Sequence, residues 1–123
     1  MSQAAIAEQF EGLAAEEVVE RLLAGDPGRA TCVTCSFQAE DMIVLDMIRQ
    51  RMPQVPVLFL DTGYHFADTY AYRDRMTAQW KLNLVNVLPK NTVAEQEAAF
   101  GILNQTDPGR CCQLRKVEPL MEA

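Results

Sequence analysis

The side chains best suited to chemistry lie near the end of the chain, where Cys111 and Cys112 are followed by Arg115 and Lys116. Adjacent cysteines are poorly placed to bridge one another, yet both can ligate one cluster edge or one metal. The two cations would offset the negative charge of a thiolate-ligated centre. Taken alone, the pair also reads as two buried structural thiols ahead of a helix. A second pair, Cys32-Val33-Thr34-Cys35, has the spacing of a redox or zinc CxxC. It falls in a stretch that reads as a strand, where residues three apart face opposite sides, so core packing is expected there and chelation is not. His65 is the single histidine, which excludes a multi-histidine metal site within the chain. A solvent-exposed place at a helix start is expected for it.

Two short polar segments, Ser36-Phe37-Gln38-Ala39-Glu40-Asp41 and Asp61-Thr62-Gly63, each follow an apolar run. Beyond the carboxyl ends of parallel strands, such loops lead into helix N-termini, where unpaired N–H groups and a partial positive charge suit a phosphate. The Ser36 hydroxyl would add a donor. Neither segment has the Walker or the glycine-rich dinucleotide pattern, and spacing alone equally allows Ser36 to be a helix cap and Asp61-Thr62-Gly63 an ordinary turn.

The elements that must position these residues alternate strand and helix, the pattern of βαβ units and a parallel sheet. Strands are predicted at 30–35, 57–60 and 84–88. Helices are predicted from Met42 to Arg51, from about Phe66 to Trp80, and from a capping box at Thr92-Val93-Ala94-Glu95 through about Phe100. Residues 3–23 form one or two lead-in helices, with Leu13, Val18, Val19, Leu22 and Leu23 at helical spacing, closed by Gly25-Asp26-Pro27-Gly28. Gly101 to Gly109 is expected to be a loop and Gln113 to Ala123 helical. The chain is thus divided into a helical lead-in, 1–29, and an incomplete nucleotide-binding α/β domain, 30–123. Because Ala123 falls within an element that lacks a stop signal, a truncated sequence is expected.

With 123 residues, 49% hydrophobic and 23% charged, the chain has the balance of one packed globular domain and not of a disordered segment. A net charge of −6 argues against a nucleic-acid partner, which would call for clustered Lys and Arg. The first residues carry no basic, apolar signal peptide, and no run approaches the roughly 20 apolar residues that span a bilayer. A cytoplasmic place without membrane contact is expected, and with it reduced thiols. Oligomeric state is not legible.

Taken together, Ser36 to Asp41, Leu60-Asp61-Thr62-Gly63-Tyr64-His65-Phe66 and Cys111-Cys112-Gln113-Leu114-Arg115-Lys116-Val117-Glu118-Pro119-Leu120 resemble the assimilatory sulfonucleotide reductases, from about Thr31 to the end of the chain. The last motif is highly specific; the first two are shared with PP-loop ATP pyrophosphatases. The resemblance implies a PP-loop α/β fold in which Ser36, Phe37, Gln38, Ala39, Glu40 and Asp41 form a modified phosphate loop, with Gln38 where the family usually has glycine. It further implies that Leu60, Asp61, Thr62 and Gly63 lie beside the nucleotide, that Cys111 and Cys112 are two of four ligands to a [4Fe–4S] cluster, and that Lys116, with Arg115 as companion cation, links cluster and substrate. Members with the cluster generally use adenylyl sulfate, those without it the 3′-phosphorylated form.

In the family's reaction a C-terminal cysteine attacks the substrate sulfur, AMP leaves, and thioredoxin releases sulfite. The second cysteine pair, an arginine-rich loop and that catalytic cysteine are absent up to Ala123, so the piece by itself is expected to be inactive. Two other readings compete: a self-contained metal module ligated by Cys32, Cys35, Cys111 and Cys112, and a PP-loop enzyme that releases pyrophosphate from ATP. Phosphoadenylyl-sulfate reduction is the alternative within the family.

Overall fold

In the computed structural model of the chain, residues 3–24 and 31–123 are described. The elements run α1 (Gln3–Phe10), α2 (Ala15–Ala24), β1 (Val33–Thr34), α3 (Ala39–Arg51), β2 (Pro56–Leu60), α4 (Ala67–Trp80), β3 (Asn83–Val87), α5 (Val93–Phe100), α6 (Leu103–Thr106) and α7 (Pro108–Cys112). A π-helical turn (Gln113–Val117) and α8 (Glu118–Glu122) close the chain. The predicted closure at Gly25-Asp26-Pro27-Gly28 and the predicted strand start at Ala30 lie outside the described residues.

The three strands form one parallel sheet in the order β1-β2-β3, with Val33 opposite Val57 and Leu58 opposite Val85. This is the α/β architecture expected from the alternating pattern. Because side chains alternate across a strand, Val33, Cys35, Val57 and Phe59 face one side, where they cluster with Met42 and Leu45 of α3 and Met76 of α4. Both crossover helices therefore cover the same face. Leu45, Val57 and Phe59 are completely buried; Phe59 packs edge-on to Phe37 and Tyr70. On the opposite face Thr34 and Val85 are exposed and Leu58 and Leu60 half-buried. Parallel pairing sends the Ser36 and Asp61 loops off the same carboxyl edge of the sheet.

Several boundaries differ from the sequence reading. Helix α3 starts at Ala39, so half of the segment expected as a polar loop is its first turn, with Glu40 and Asp41 complementing the helix dipole. β1 is reduced to Val33 and Thr34. The expected loop 101–109 contains α6 and the start of α7, because Asp107 caps α7 by accepting from Arg110 N–H and Pro108 occupies the first turn, where its missing N–H costs nothing. The box at Thr92 forms as expected, with Thr92 and Glu95 exchanging side-chain and backbone hydrogen bonds. Among the described residues no helix is long and apolar enough to cross a membrane.

Candidate functional site

The first loop turns through Phe37, a non-glycine residue with φ of 62°. A left-handed conformation there costs about 1–2 kcal/mol. It is held because the ring is buried against Phe59 and Tyr72. The turn points the Ser36 N–H and hydroxyl at the Asp41 carboxylate, which accepts from both, the N–H at 2.9 Å. The donors expected to meet a phosphate are thus occupied by an internal anion, and a phosphate would have to exchange with it. Gln38 precedes α3 without a side-chain cap; Gln38, Ala39 and Glu40 are exposed. Burial pushes the Cys35 thiol above the ordinary range, and the charge of Asp41 adds to this against a hydrogen bond from Phe37 N–H.

The second loop is tied by its own side chains. Asp61 accepts from Gly63 N–H at 3.1 Å and from the Tyr70 hydroxyl at 2.6 Å; Thr62 Oγ1 accepts from Tyr64 N–H. Burial, reinforced by the bond to Asp61, raises the Tyr70 hydroxyl pKa. Gly63 is required twice over. Its φ is +81°, and a Cβ there would stand 2.6 Å from Val93 Cγ2 and 3.0 Å from Arg115 Nη2.

His65 is not at the exposed helix start expected for it. The ring is half-buried, tilted against Phe59 at 5.0 Å, with Nε2 3.0 Å from the Leu60 carbonyl. Since a carbonyl only accepts, Nε2 carries the proton in this contact.

The two cysteine pairs behave differently. Cys32 is exposed and Cys35 buried, the divergence that strand alternation requires. Cys111 and Cys112 close α7, the first buried and the second exposed, and both line one cavity of about 330 Å³ together with Thr62, His65, Arg115 and Lys116. Two soft donors on one wall beside a lysine fit one edge of a thiolate-ligated cluster. Among the described residues no three of His, Cys, Asp and Glu are grouped to hold a metal ion, which counts against the four-cysteine module.

Arg115 and Lys116 are adjacent in sequence but differ in place. Arg115 is only 4% exposed. Its Nε donates to Thr62 O at 2.8 Å and its Nη1 donates to Asn91 O and to Gln96 Oε1. Arg115, expected as a companion cation, lines the cysteine cavity and also braces both loops that follow β2 and β3. Lys116 is exposed, and it lines a second cavity of about 260 Å³ whose walls include Thr34, Ser36, Asp41, Leu58, Leu60 and His65. Lys116 and His65 thus stand on the wall shared by the cysteine cavity and the cavity at the sheet edge. The turn that carries Lys116 is π-helical, with Glu118 N–H donating to Gln113 O. Pro119 has no N–H and would crowd the carbonyl four residues back in a regular helix, and the wider turn accommodates it.

Sequence reasoning missed Gln96. It is 1% exposed, yet in α5 it occupies a position whose polar side chain reads as solvent-facing. Nothing in the sequence marks it, since its partners Arg115 and Cys111 are brought to it only by the fold.

The sequence profile described as the phosphoadenosine phosphosulfate reductase domain matches residues 30–123. An adenosine 5′-phosphosulfate reductase of Streptomyces coelicolor is 46% identical over 96 residues, covering 77% of this chain and 40% of that protein. One from Mycolicibacterium smegmatis is 49% identical over 85 residues, 68% of this chain and 36% of that protein. A crystal structure of phosphoadenylyl-sulfate reductase from Candida auris, in a phosphate complex, superposes with a TM-score of 0.78 at 25% identity, over 99% of this chain and 62% of the other. The chain therefore spans about two fifths of the length of these curated relatives.

Proposed function

Because the chain belongs to the phosphoadenosine phosphosulfate reductase domain family, we propose that it is the nucleotide-binding part of a cytoplasmic, thioredoxin-dependent enzyme that reduces adenylyl sulfate to sulfite and AMP. The observation that carries this reading is the shared wall: Lys116 borders both the cavity at Ser36 and Asp41 and the cavity of Cys111 and Cys112. An anionic sulfate lying between them would meet one ammonium and a half-buried imidazole. The cysteine pair, together with curated relatives named adenosine 5′-phosphosulfate reductase, favours adenylyl sulfate over its 3′-phosphorylated form.

In this mechanism the loop Ser36 to Asp41 receives the nucleotide phosphate, its N–H and hydroxyl exchanging Asp41 for the ligand. Leu60 to Gly63 form the adjoining wall. Lys116 holds the sulfate and stabilises charge as it shifts toward the leaving phosphate oxygen, the role of a preorganised cation. A cysteine thiolate from the rest of the protein forms a bond to the sulfate sulfur, the sulfur–oxygen bond to AMP breaks, and the electron pair departs with AMP. A thioredoxin thiolate then attacks the cysteine sulfur, expelling sulfite and leaving a mixed disulfide that its second thiol resolves. Cys111 and Cys112 would be two of four ligands to a [4Fe–4S] cluster, whose contribution when bound is fixed charge and geometry.

The test is sulfite release by the full-length enzyme with thioredoxin, comparing adenylyl sulfate with its 3′-phosphorylated form alongside iron analysis. A preference of at least tenfold for adenylyl sulfate in an iron-loaded enzyme is expected. Preference for the 3′-phosphorylated substrate, or pyrophosphate release from ATP, would reject this assignment.

A further inference from the structure

Gln96 is completely enclosed between Arg115 and Cys111. Its Oε1 accepts from Arg115 Nη1 at 3.4 Å and its Nε2 donates to Cys111 Sγ at 3.7 Å. The two ends of the amide cannot be exchanged. A guanidinium carries only donors, so the oxygen must face Arg115 and the NH₂ must face sulfur. Arg115 is itself fixed by the carbonyls of Thr62 and Asn91, so the orientation of this one amide is set by the loops that follow β2 and β3.

We infer that Gln96 is a positioning residue for the iron–sulfur centre, its amide N–H bonding to the Cys111 thiolate and its carbonyl linking that ligand through Arg115 to the Thr62 loop. This rests on the reading of Cys111 as a cluster ligand. A hydrogen bond to a ligating sulfur withdraws electron density from the metal–sulfur bond and orients the ligand, and partners of this kind typically alter metal retention 10–100-fold. An amide suits the place because it can serve a cation on one side and a thiolate on the other without adding charge.

Gln96→Glu in the full-length, iron-loaded reductase separates the two functions. The carboxylate keeps an acceptor for Arg115 and removes the donor to sulfur. Iron release to a chelator is expected to be about 10-fold faster or more, with a shift in the Fe–S(Cys) stretching frequencies, while the secondary structure is retained. Gln96→Met, which preserves bulk and loses both bonds, is expected to show the same spectroscopic shift and serves if the glutamate variant fails to fold. Wild-type release rates and unchanged stretching frequencies in an iron-loaded variant would overturn the inference and leave cysteine ligation standing. A wild-type protein without any cluster would overturn both.

Discussion

Arg115 Nε donates to the carbonyl oxygen of Thr62 at 2.8 Å, joining residues 53 apart in the chain. With the bonds to Asn91 O and Gln96 Oε1, it makes the terminal helical segment a clamp on two loops. Removing the guanidinium leaves buried acceptors unpaired, at about 1–3 kcal/mol each. Arg115→Met is expected to lower the stability of the full-length protein by about 3 kcal/mol or more. Arg115→Lys should recover only part, because a compact ammonium cannot reach three separated acceptors. Urea unfolding measures both, and a loss below about 1 kcal/mol for Arg115→Met would show that the clamp does not hold the loops.

Lys116 is exposed at the junction of the two cavities, so its charge can act on a ligand without supporting the core. Lys116→Ala in the full-length enzyme should retain iron and lose turnover by roughly 10²-fold or more, the scale of a removed transition-state donor. Sulfite production at matched iron content is the measurement. Near wild-type turnover would reduce Lys116 to a solvated surface lysine.

The cysteine pairs should separate cleanly by iron content. Cys111→Ser or Cys112→Ser removes a soft ligand and should abolish cluster loading. Cys32→Ser with Cys35→Ser, one exposed and one in the core, should leave iron per protein unchanged. Equal losses in both sets would revive the four-cysteine module.

Gly63→Ala places a methyl group 2.6 Å from Val93 Cγ2 at a φ of +81°. Left-handed strain of about 1–2 kcal/mol and overpacking of about 1–3 kcal/mol add to an expected loss of roughly 2–5 kcal/mol. Thermal unfolding of Gly63→Ala beside Gly101→Ala is the check. Gly101 has open space around its Cβ position but lies at φ 79° and ψ −167°, a region kept almost entirely for glycine, so Gly101→Ala should lose about 1–3 kcal/mol to backbone strain and show no overpacking.

Cys35 provides a pH dependence. Its folded pKa is raised, chiefly by burial, so the folded state keeps a proton that the unfolded chain releases near pH 8.5. The associated stability is fully present below that pH and is lost as pH rises through the folded value. Cys35→Ala should flatten part of the alkaline decline in unfolding free energy. At pH 8 iodoacetamide should label Cys32 at least about tenfold faster than Cys35, since the thiolate is the nucleophile and Cys35 is both buried and protonated. Equal labelling would contradict the placement of Cys35.

Apolar patterning was sufficient for β2, because Val57 and Phe59 alternate with half-buried neighbours as a sheet with one well-covered face demands. The box at Thr92 was legible because both partners are local. The start of α3 was misplaced because polarity between Ser36 and Asp41 suggested a loop, although acidic residues in a first helical turn also read as a beginning. Cys111 and Cys112 could be singled out by residue type, and Lys116 by its place beside them. The burial of Arg115 and Gln96 could not be read, since both depend on carbonyls and a thiol brought together only by the fold, and neither residue type is ordinarily internal.

The π-helical turn sets an angular phase. With a single residue worth about 100° of rotation in a regular helix, the widened turn decides which way each side chain after Cys112 departs. Arg115 is directed inward and Lys116 to the common wall while α8 continues beyond them. Deleting Gln113 or Leu114 would retain both cations and both thiols yet re-aim the cations. This segment should therefore tolerate changes in residue type at exposed Gln113 or Val117 far better than any change in length.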